Sequence, residues 1–137
     1  MRVIFADSGY WIAAFNPRDG LHQRAIEISD QLGQFRFITS EMVLVEVLNA
    51  FSKMGPHLRK IATSAVQEIT NDSTIEVIPQ TRRLFREALS LYSMRADKEW
   101  SLTDCASFVI MKQRGIDEAL TDDHHFDQNG FKALLKP

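Results

Sequence analysis

The chain has 137 residues, of which 45% are apolar and 25% charged, and its formal net charge is −2. These values predict a single domain, residues 1–137, with its own core and no internal disulfide, since Cys105 is the only cysteine. The charge argues against broad electrostatic wrapping of nucleic acid, and no apolar run approaches the roughly 20 residues of a membrane span. We therefore expect a cytoplasmic protein without a secretory signal.

Short apolar segments alternate with segments of helical spacing in the first half of the chain. Asp7-Ser8 and Ser40 supply N-cap residues, while Gly33 and Gly55-Pro56 end the helices before them. The predicted elements are a strand at Arg2–Ala6, a helix from about Tyr10, a helix at His22–Leu32, a strand at Phe35–Thr39 and a helix from Ser40 through Met54.

The same alternation continues in the second half. The predicted elements are a helix from His57 to about Thr70, a strand at Thr74–Ile78, helices at Gln80–Ala96 and Ser101–Gln113, and short strands at Glu118–Thr121 and Phe131–Leu135. Apolar residues share one side of the helix predicted at Gln80–Ala96: Leu84, Phe85, Ala88, Leu91 and Tyr92. Alternating strands and helices predict an α/β fold with a largely parallel sheet covered on both faces. Ligands of such sheets bind beyond the carboxyl ends of the strands, where Asp7 and residues 121–125 are expected.

Three carboxylates stand alone in apolar surroundings. Asp7 is the only charged residue between Arg2 and Arg18, Glu46 lies inside Val43–Leu48, and Asp104 lies inside Leu102–Ile110. Carboxylates are rarely buried without a partner, and none of these has a basic residue one helical turn away. Each has a simpler interpretation when taken singly. Asp7 can cap a helix. Glu46 can lie on an exposed polar stripe with Asn49 and Lys53, and Asp104 can be an early-turn acid behind a Ser101 or Thr103 cap.

A fourth candidate lies in Thr121-Asp122-Asp123-His124-His125-Phe126, where the doublet leaves the choice of acid open. Two carboxylates about 5 Å apart repel by about 3 kcal/mol at an effective dielectric constant of 20. Converging acids must therefore be protonated or hold a cation, and oxygen ligands favour Mg²⁺ or Mn²⁺. Such a site suits phosphodiester hydrolysis. The two histidines lack the partners of a zinc site, so a capping or substrate-contacting role is preferred for them.

These motifs together resemble the PIN-domain ribonucleases, in particular the VapC-type toxins of bacterial toxin–antitoxin pairs and their stand-alone relatives. The resemblance runs from Val3 to about Leu135. Asp7-Ser8, Glu46 with Asn49, and Ser101-Leu102-Thr103-Asp104 are similar to the family's first three acidic motifs. The segment from Thr121 to Phe126 resembles its Thr-x-Asp-x-x-Phe element, which assigns the fourth acid to Asp123.

The resemblance implies a three-layer α/β/α sandwich with a mostly parallel central sheet. It also implies Mg²⁺ or Mn²⁺ bound chiefly by Asp7 and Asp104, cleavage of single-stranded or loop RNA, a homodimer and an antitoxin partner. The resulting hypothesis assigns Asp7, Glu46, Asp104 and Asp123 to metal binding, and lets Glu46 or Asp123 accept a proton from water. Ser8 and Thr121 are expected to orient the carboxylates.

Two rival functions remain at this stage. A Mg²⁺-dependent phosphatase or phosphotransfer domain commonly needs a second Asp two residues after the first and a Lys near the phosphate. Here Asp7 is followed by Ser8-Gly9, and no Lys stands at a strand end. A binding module that holds RNA or a protein without turnover is the other rival, although it would gain stability by losing unpaired buried charge.

Overall fold

The computed structural model describes residues 1–136, and their centre is a five-stranded parallel sheet in the order β3-β2-β1-β4-β5. The strands are β1 (Arg2–Ala6), β2 (Phe35–Ser40), β3 (Ile75–Ile78), β4 (Glu118–Leu120) and β5 (Lys132–Ala133). Ile4, Phe5 and Ala6 of β1 are fully buried, as expected for a central strand covered on both faces.

Helices connect successive strands and cover the sheet, which makes the fold the expected three-layer α/β/α sandwich. They are α1 (Ser8–Phe15), α2 (His22–Gln31), α3 (Glu41–Phe51), α4 (Pro56–Asn71), α5 (Arg82–Met94), α6 (Leu102–Arg114) and α7 (His124–Gln128). Ser40 caps α3 as predicted, because its side chain accepts a hydrogen bond from the Val43 amide at 3.1 Å. No helix within residues 1–136 has both the length and the apolarity to cross a membrane.

Several predicted boundaries differ from the structure. Helix α1 begins at Ser8 rather than near Tyr10, and α3 ends at Phe51 rather than Met54. The strand expected over Phe131–Leu135 pairs only at Lys132–Ala133. The short helix α7 was not predicted, because five residues are too few to show helical periodicity.

The expected apolar side of α5 is only partly correct. Leu84 and Ala88 are buried, whereas the side chains of Phe85 and Tyr92 are 40% and 52% exposed. Leu89, at 47%, lies on the same exposed stripe, since positions 85, 89 and 92 are separated by four and three residues. Helix α5 therefore carries a second apolar face that the described chain does not cover.

Candidate active site

The register of the two central strands places Asp7 beside Thr121. Ala6 of β1 pairs with Leu120 of β4, so the next residue of each strand lies at the carboxyl edge of the sheet. The Asp7 amide donates to the Leu120 carbonyl at 3.2 Å, and the Thr121 hydroxyl donates to Asp7 Oδ2 at 2.8 Å. Both side chains are buried. The prediction that Asp7 and residues 121–125 share this edge is therefore correct.

Asp7 has no basic partner among residues 1–136. The pKa of its carboxyl is raised to about 7, chiefly by burial and to a smaller extent by the charges of Glu46 and Asp104, against the lowering effect of hydrogen bonds from the Thr121 hydroxyl and the Ser8 amide. Its side chain makes no capping hydrogen bond to α1, so the simpler interpretation of Asp7 as a helix cap is wrong. The carboxylate points instead into a pocket of like charge.

Glu46 reaches the same pocket from α3. The Ser8 hydroxyl donates to Glu46 Oε1 at 2.6 Å, which joins the start of α1 to the middle of α3. The Glu46 side chain is half-buried, whereas Asn49 and Lys53 are exposed. The interpretation of Glu46 as part of an exposed polar stripe with Asn49 and Lys53 is therefore not supported. Ser8 orients Glu46, in keeping with the predicted supporting role of the serine.

Asp104 combines the two roles that the sequence left open. It occupies the third position of α6, where the Ser101 hydroxyl accepts from the Asp104 amide at 3.0 Å and Asp104 Oδ2 accepts from the Ser101 amide at 3.1 Å. It is thus part of a capping box, yet its side chain is only 10% exposed. Burial and the nearby charge of Asp123 raise the pKa of Asp104, against the hydrogen bonds from Ser101 and His125.

Asp123 closes the cluster from the segment after β4. Its amide donates to the Thr121 hydroxyl at 3.1 Å, and its side chain caps α7 by accepting from the His125 amide at 2.9 Å. Asp122 is exposed, and its side chain lies instead over Gly9, with Oδ1 3.5 Å from the position that a Cβ would take there. Asp123, rather than Asp122, is therefore the acid whose charge acts on Asp104.

His125, for which the sequence suggested a capping or substrate-contacting role, lies against two of the acids. Its ring Nδ1 lies 3.0 Å from Asp104 Oδ2 and 3.3 Å from Asp123 Oδ1, and its side chain is 17% exposed. The only sequence signal was an Asp two residues before it, in a position suited to cap a helix. His124, beside it, is exposed.

The four acids form a connected anionic pocket without a lysine or arginine partner. Within residues 1–136, the ion pairs of these basic residues involve other acids, namely Glu118, Glu87, Asp97, Glu76 and Asp127. A buried anion without a counter-charge is costly, so the cluster fits a bound divalent cation, and carboxylate oxygens suit a hard one. A parallel α/β/α sandwich with such a pocket at the carboxyl edge of its sheet fits a class of protein, the divalent-metal-dependent enzymes that act on phosphate esters.

Comparison with known proteins identifies the family. The model of the PIN domain matches residues 4–132, and the chain belongs to this family. The chain is also 27% identical to the 23S rRNA-specific endonuclease VapC20 of Mycobacterium tuberculosis over 129 residues. The aligned residues cover 94% of this chain and 95% of the relative. Enzymes of the family depend on divalent metal ions, and this chain is a PIN-domain nuclease.

Solved structures agree with this assignment. The crystal structure of Mycobacterium tuberculosis VapC20, a sarcin-ricin loop cleaving toxin, matches with a TM-score of 0.83 and 26% identity over 93% of this chain and 95% of that one. The crystal structure of VapBC2 from Rickettsia felis, bound to a DNA fragment from the VapBC2 promoter, matches with a TM-score of 0.64 and 13% identity over 96% of each chain. FitAcB of Neisseria gonorrhoeae matches with a TM-score of 0.61 and 14% identity over 95% of this chain and 94% of that one. The last two show a shared fold, and the predicted family and fold class are confirmed.

Proposed function

We propose that this chain is an endoribonuclease that cleaves single-stranded or loop RNA with the help of Mg²⁺ or Mn²⁺, as one domain spanning the chain. The observation that carries the proposal is the pocket of Asp7, Glu46, Asp104 and Asp123, in which no lysine or arginine of residues 1–136 pairs with any of the four acids. The preference for RNA loops is supported by VapC20, which is named for 23S rRNA and for the sarcin-ricin loop.

The four acids are proposed to hold the metal ion, with Asp7 and Asp104 as the chief ligands. When bound, a divalent ion lowers the pKa of water for attack on phosphorus and stabilises the leaving oxygen. Glu46 and Asp123 lie at the two ends of the cluster, where either can accept the proton of the attacking water. Ser8 and Thr121 hold Glu46 and Asp7 in place through hydrogen bonds of 2.6 and 2.8 Å.

We further propose that the protein is the toxin of a toxin–antitoxin pair and acts in the cytoplasm as a homodimer. VapC20 is described as a toxin, which supports an antitoxin as partner. The exposed stripe of Phe85, Leu89 and Tyr92 supports the dimer, because an apolar helix face of this kind is commonly covered by another protein surface. Sedimentation equilibrium tests the dimer: wild-type protein should have twice the mass of the chain and Leu89→Arg the mass of one, and a monomeric wild type contradicts it.

The deciding experiment measures metal-dependent cleavage of RNA. Metal-free protein is incubated with ribosomes and with a synthetic RNA hairpin, with EDTA, with Mg²⁺ or with Mn²⁺, and the products are mapped at their ends. We expect cut sites in the loop with either metal and none with EDTA. A DNA hairpin of the same sequence and p-nitrophenyl phosphate serve as controls.

Each rival predicts a different result in that experiment. Release of p-nitrophenol without cleavage of RNA supports the phosphatase, and retention of the RNA hairpin without products under every metal condition supports the binding module. Either result contradicts the proposed function.

A further inference from the structure

His125 lies between two of the proposed metal ligands. Its Nδ1 atom is 3.0 Å from Asp104 Oδ2, on a helix 21 residues earlier in the chain, and 3.3 Å from Asp123 Oδ1. Nδ1 is thus the one ring atom that faces both carboxylates. None of the four acidic motifs accounts for this contact.

The backbone holds the imidazole in that position. The His125 amide donates to Asp123 Oδ1 at 2.9 Å, which fixes the first turn of α7. Phe126, the next residue, is fully buried and packs its ring against Phe108 of α6 at 4.9 Å between centroids. Helix α7 is therefore anchored on both sides of His125, and the ring faces the pocket without a change of backbone conformation.

The three facing atoms, two carboxylate oxygens and one imidazole nitrogen, are all metal donors. Adjacent ligands of an octahedral ion with bonds of about 2.1 Å lie about 3.0 Å apart, close to the two distances measured here. Building on the proposed function, we propose that His125 Nδ1 is a nitrogen ligand of the ion held by Asp104 and Asp123, and that it makes the site prefer Mn²⁺ to Mg²⁺. Mg²⁺ strongly favours oxygen ligands, whereas nitrogen donors favour the first-row transition ions, a series that begins with Mn²⁺.

The alternative is that His125 only orients Asp104 by a hydrogen bond. His125→Asn separates the two roles, because the amide NH₂ of asparagine takes a position similar to Nδ1 and can still donate, but it is a poor metal ligand. His124→Asn is the matched comparison, because Asp123, His124 and His125 offer donor atoms within 4.8 Å of one another and the proposal assigns the nitrogen ligand to His125 alone. His124 is the same residue type one position earlier, its side chain is 67% exposed, and its Nδ1 lies 3.7 Å from Asp123 Oδ1.

The test measures metal binding directly, without RNA. Full-length, tag-free protein with ¹⁵N-labelled histidine is loaded with Mn²⁺, and pulsed electron paramagnetic resonance detects nitrogen coupled to the ion. Calorimetry gives the dissociation constants for Mn²⁺ and Mg²⁺ of wild type, H125N and H124N. We expect a ¹⁵N coupling in wild type and H124N and none in H125N. We also expect Mn²⁺ binding to weaken about tenfold or more in H125N, with Mg²⁺ binding changed less than about threefold.

Three outcomes overturn the inference: no histidine coupling in wild-type protein, the same coupling in H125N, or equal weakening of both metals in H125N. The first of these needs no variant, so it holds even if H125N fails to fold. Because no RNA is present, the result is independent of the substrate. If Mn²⁺ is coupled to histidine but the protein cuts no RNA, the metal site stands and the proposed nuclease function is wrong. If the protein shows metal-dependent cleavage but no coupling, the nuclease function stands and the role of His125 as a ligand is wrong.

Discussion

The acids at the two edges of the parallel sheet have opposite kinds of partner. At the amino edge, Arg2 makes two hydrogen bonds to Glu118, at 2.7 and 2.5 Å, and Arg114 makes two to Glu76, at 2.9 and 2.6 Å. Both pairs line a cavity of about 480 Å³. These arginines lower the pKa of both glutamates, whereas burial and like charge raise the pKa of Asp7 and Asp104 at the carboxyl edge.

The contrast shows why neither charge nor cavity volume alone identifies a site. The amino edge has a cavity of about 480 Å³ and several charged residues, but both of its glutamates, Glu76 and Glu118, have an arginine partner. The carboxyl edge has acids whose partners are hydroxyls, amides and a histidine. A carboxylate that is buried without a counter-charge lowers the stability of the ligand-free protein, and such a destabilised group is typical of a ligand-binding site.

The largest expected effect is loss of cleavage when an acid of the carboxyl edge is neutralised. Asp104→Asn keeps an oxygen that can accept from the Ser101 amide, so α6 should fold, but it removes a charge that binds the metal. We expect RNA cleavage to fall more than about a hundredfold, because changes even to groups behind a metal ligand cost 10- to 100-fold. Glu118→Gln at the amino edge is the matched control and should cleave like wild type. Retained metal-dependent cleavage by folded D104N would remove Asp104 from the site.

The next largest effect is on stability, and it has opposite signs at the two edges. A carboxyl whose pKa rises from 3.8 to about 7 on folding costs no stability below pH 4, costs progressively more between pH 4 and 7, and costs the full amount above pH 7. In EDTA, Asp7→Asn should therefore raise the free energy of unfolding at pH 8 by up to about 4 kcal/mol, with no gain at pH 4.

Glu118→Gln is the control for that measurement too. The pKa of Glu118 is lowered in the folded protein, so its contribution is present above the unfolded-state pKa and is lost as the pH falls. E118Q should thus destabilise the protein slightly at pH 8 and have no effect at acid pH. Urea unfolding of both variants over pH 4 to 8 gives the comparison. Destabilisation of the metal-free protein at pH 8 by D7N would show that Asp7 is well solvated or paired in solution.

The smallest effect is expected from breaking an ion pair of the amino edge. The Arg114 and Glu76 side chains are 44% and 42% exposed, and exposed pairs typically contribute less than about 1 kcal/mol. Glu76→Gln should therefore change the free energy of unfolding by less than about 1 kcal/mol, less still at high salt, and leave cleavage within about twofold. A loss of activity comparable to that of D104N would mean that the two edges are coupled, and the contrast between them would no longer hold.

Much of this organisation could be predicted from sequence because it follows from local patterns. The parallel sheet follows from apolar runs such as Arg2–Ala6 alternating with helical segments, and three of the acids stand out because no other charge lies near them in the chain. What could not be predicted depends on distance in space. The contact of His125 with Asp104 needs α7, a helix too short to leave a periodic pattern, to lie against the start of α6. The exposure of Phe85 and Tyr92 likewise depends on which flank of α5 meets α6.

The threonine at the carboxyl end of β4 has one further consequence. The Thr121 oxygen accepts from the backbone amide of Asp123 while its hydroxyl donates to Asp7 Oδ2, so this side chain uses its donor and one of its acceptor positions within the site. One small side chain thus joins the segment that carries Asp123 to the carboxylate of Asp7. A residue without a hydroxyl at position 121 would remove both hydrogen bonds at once, so the positions of the first and the fourth acid depend on the same oxygen atom.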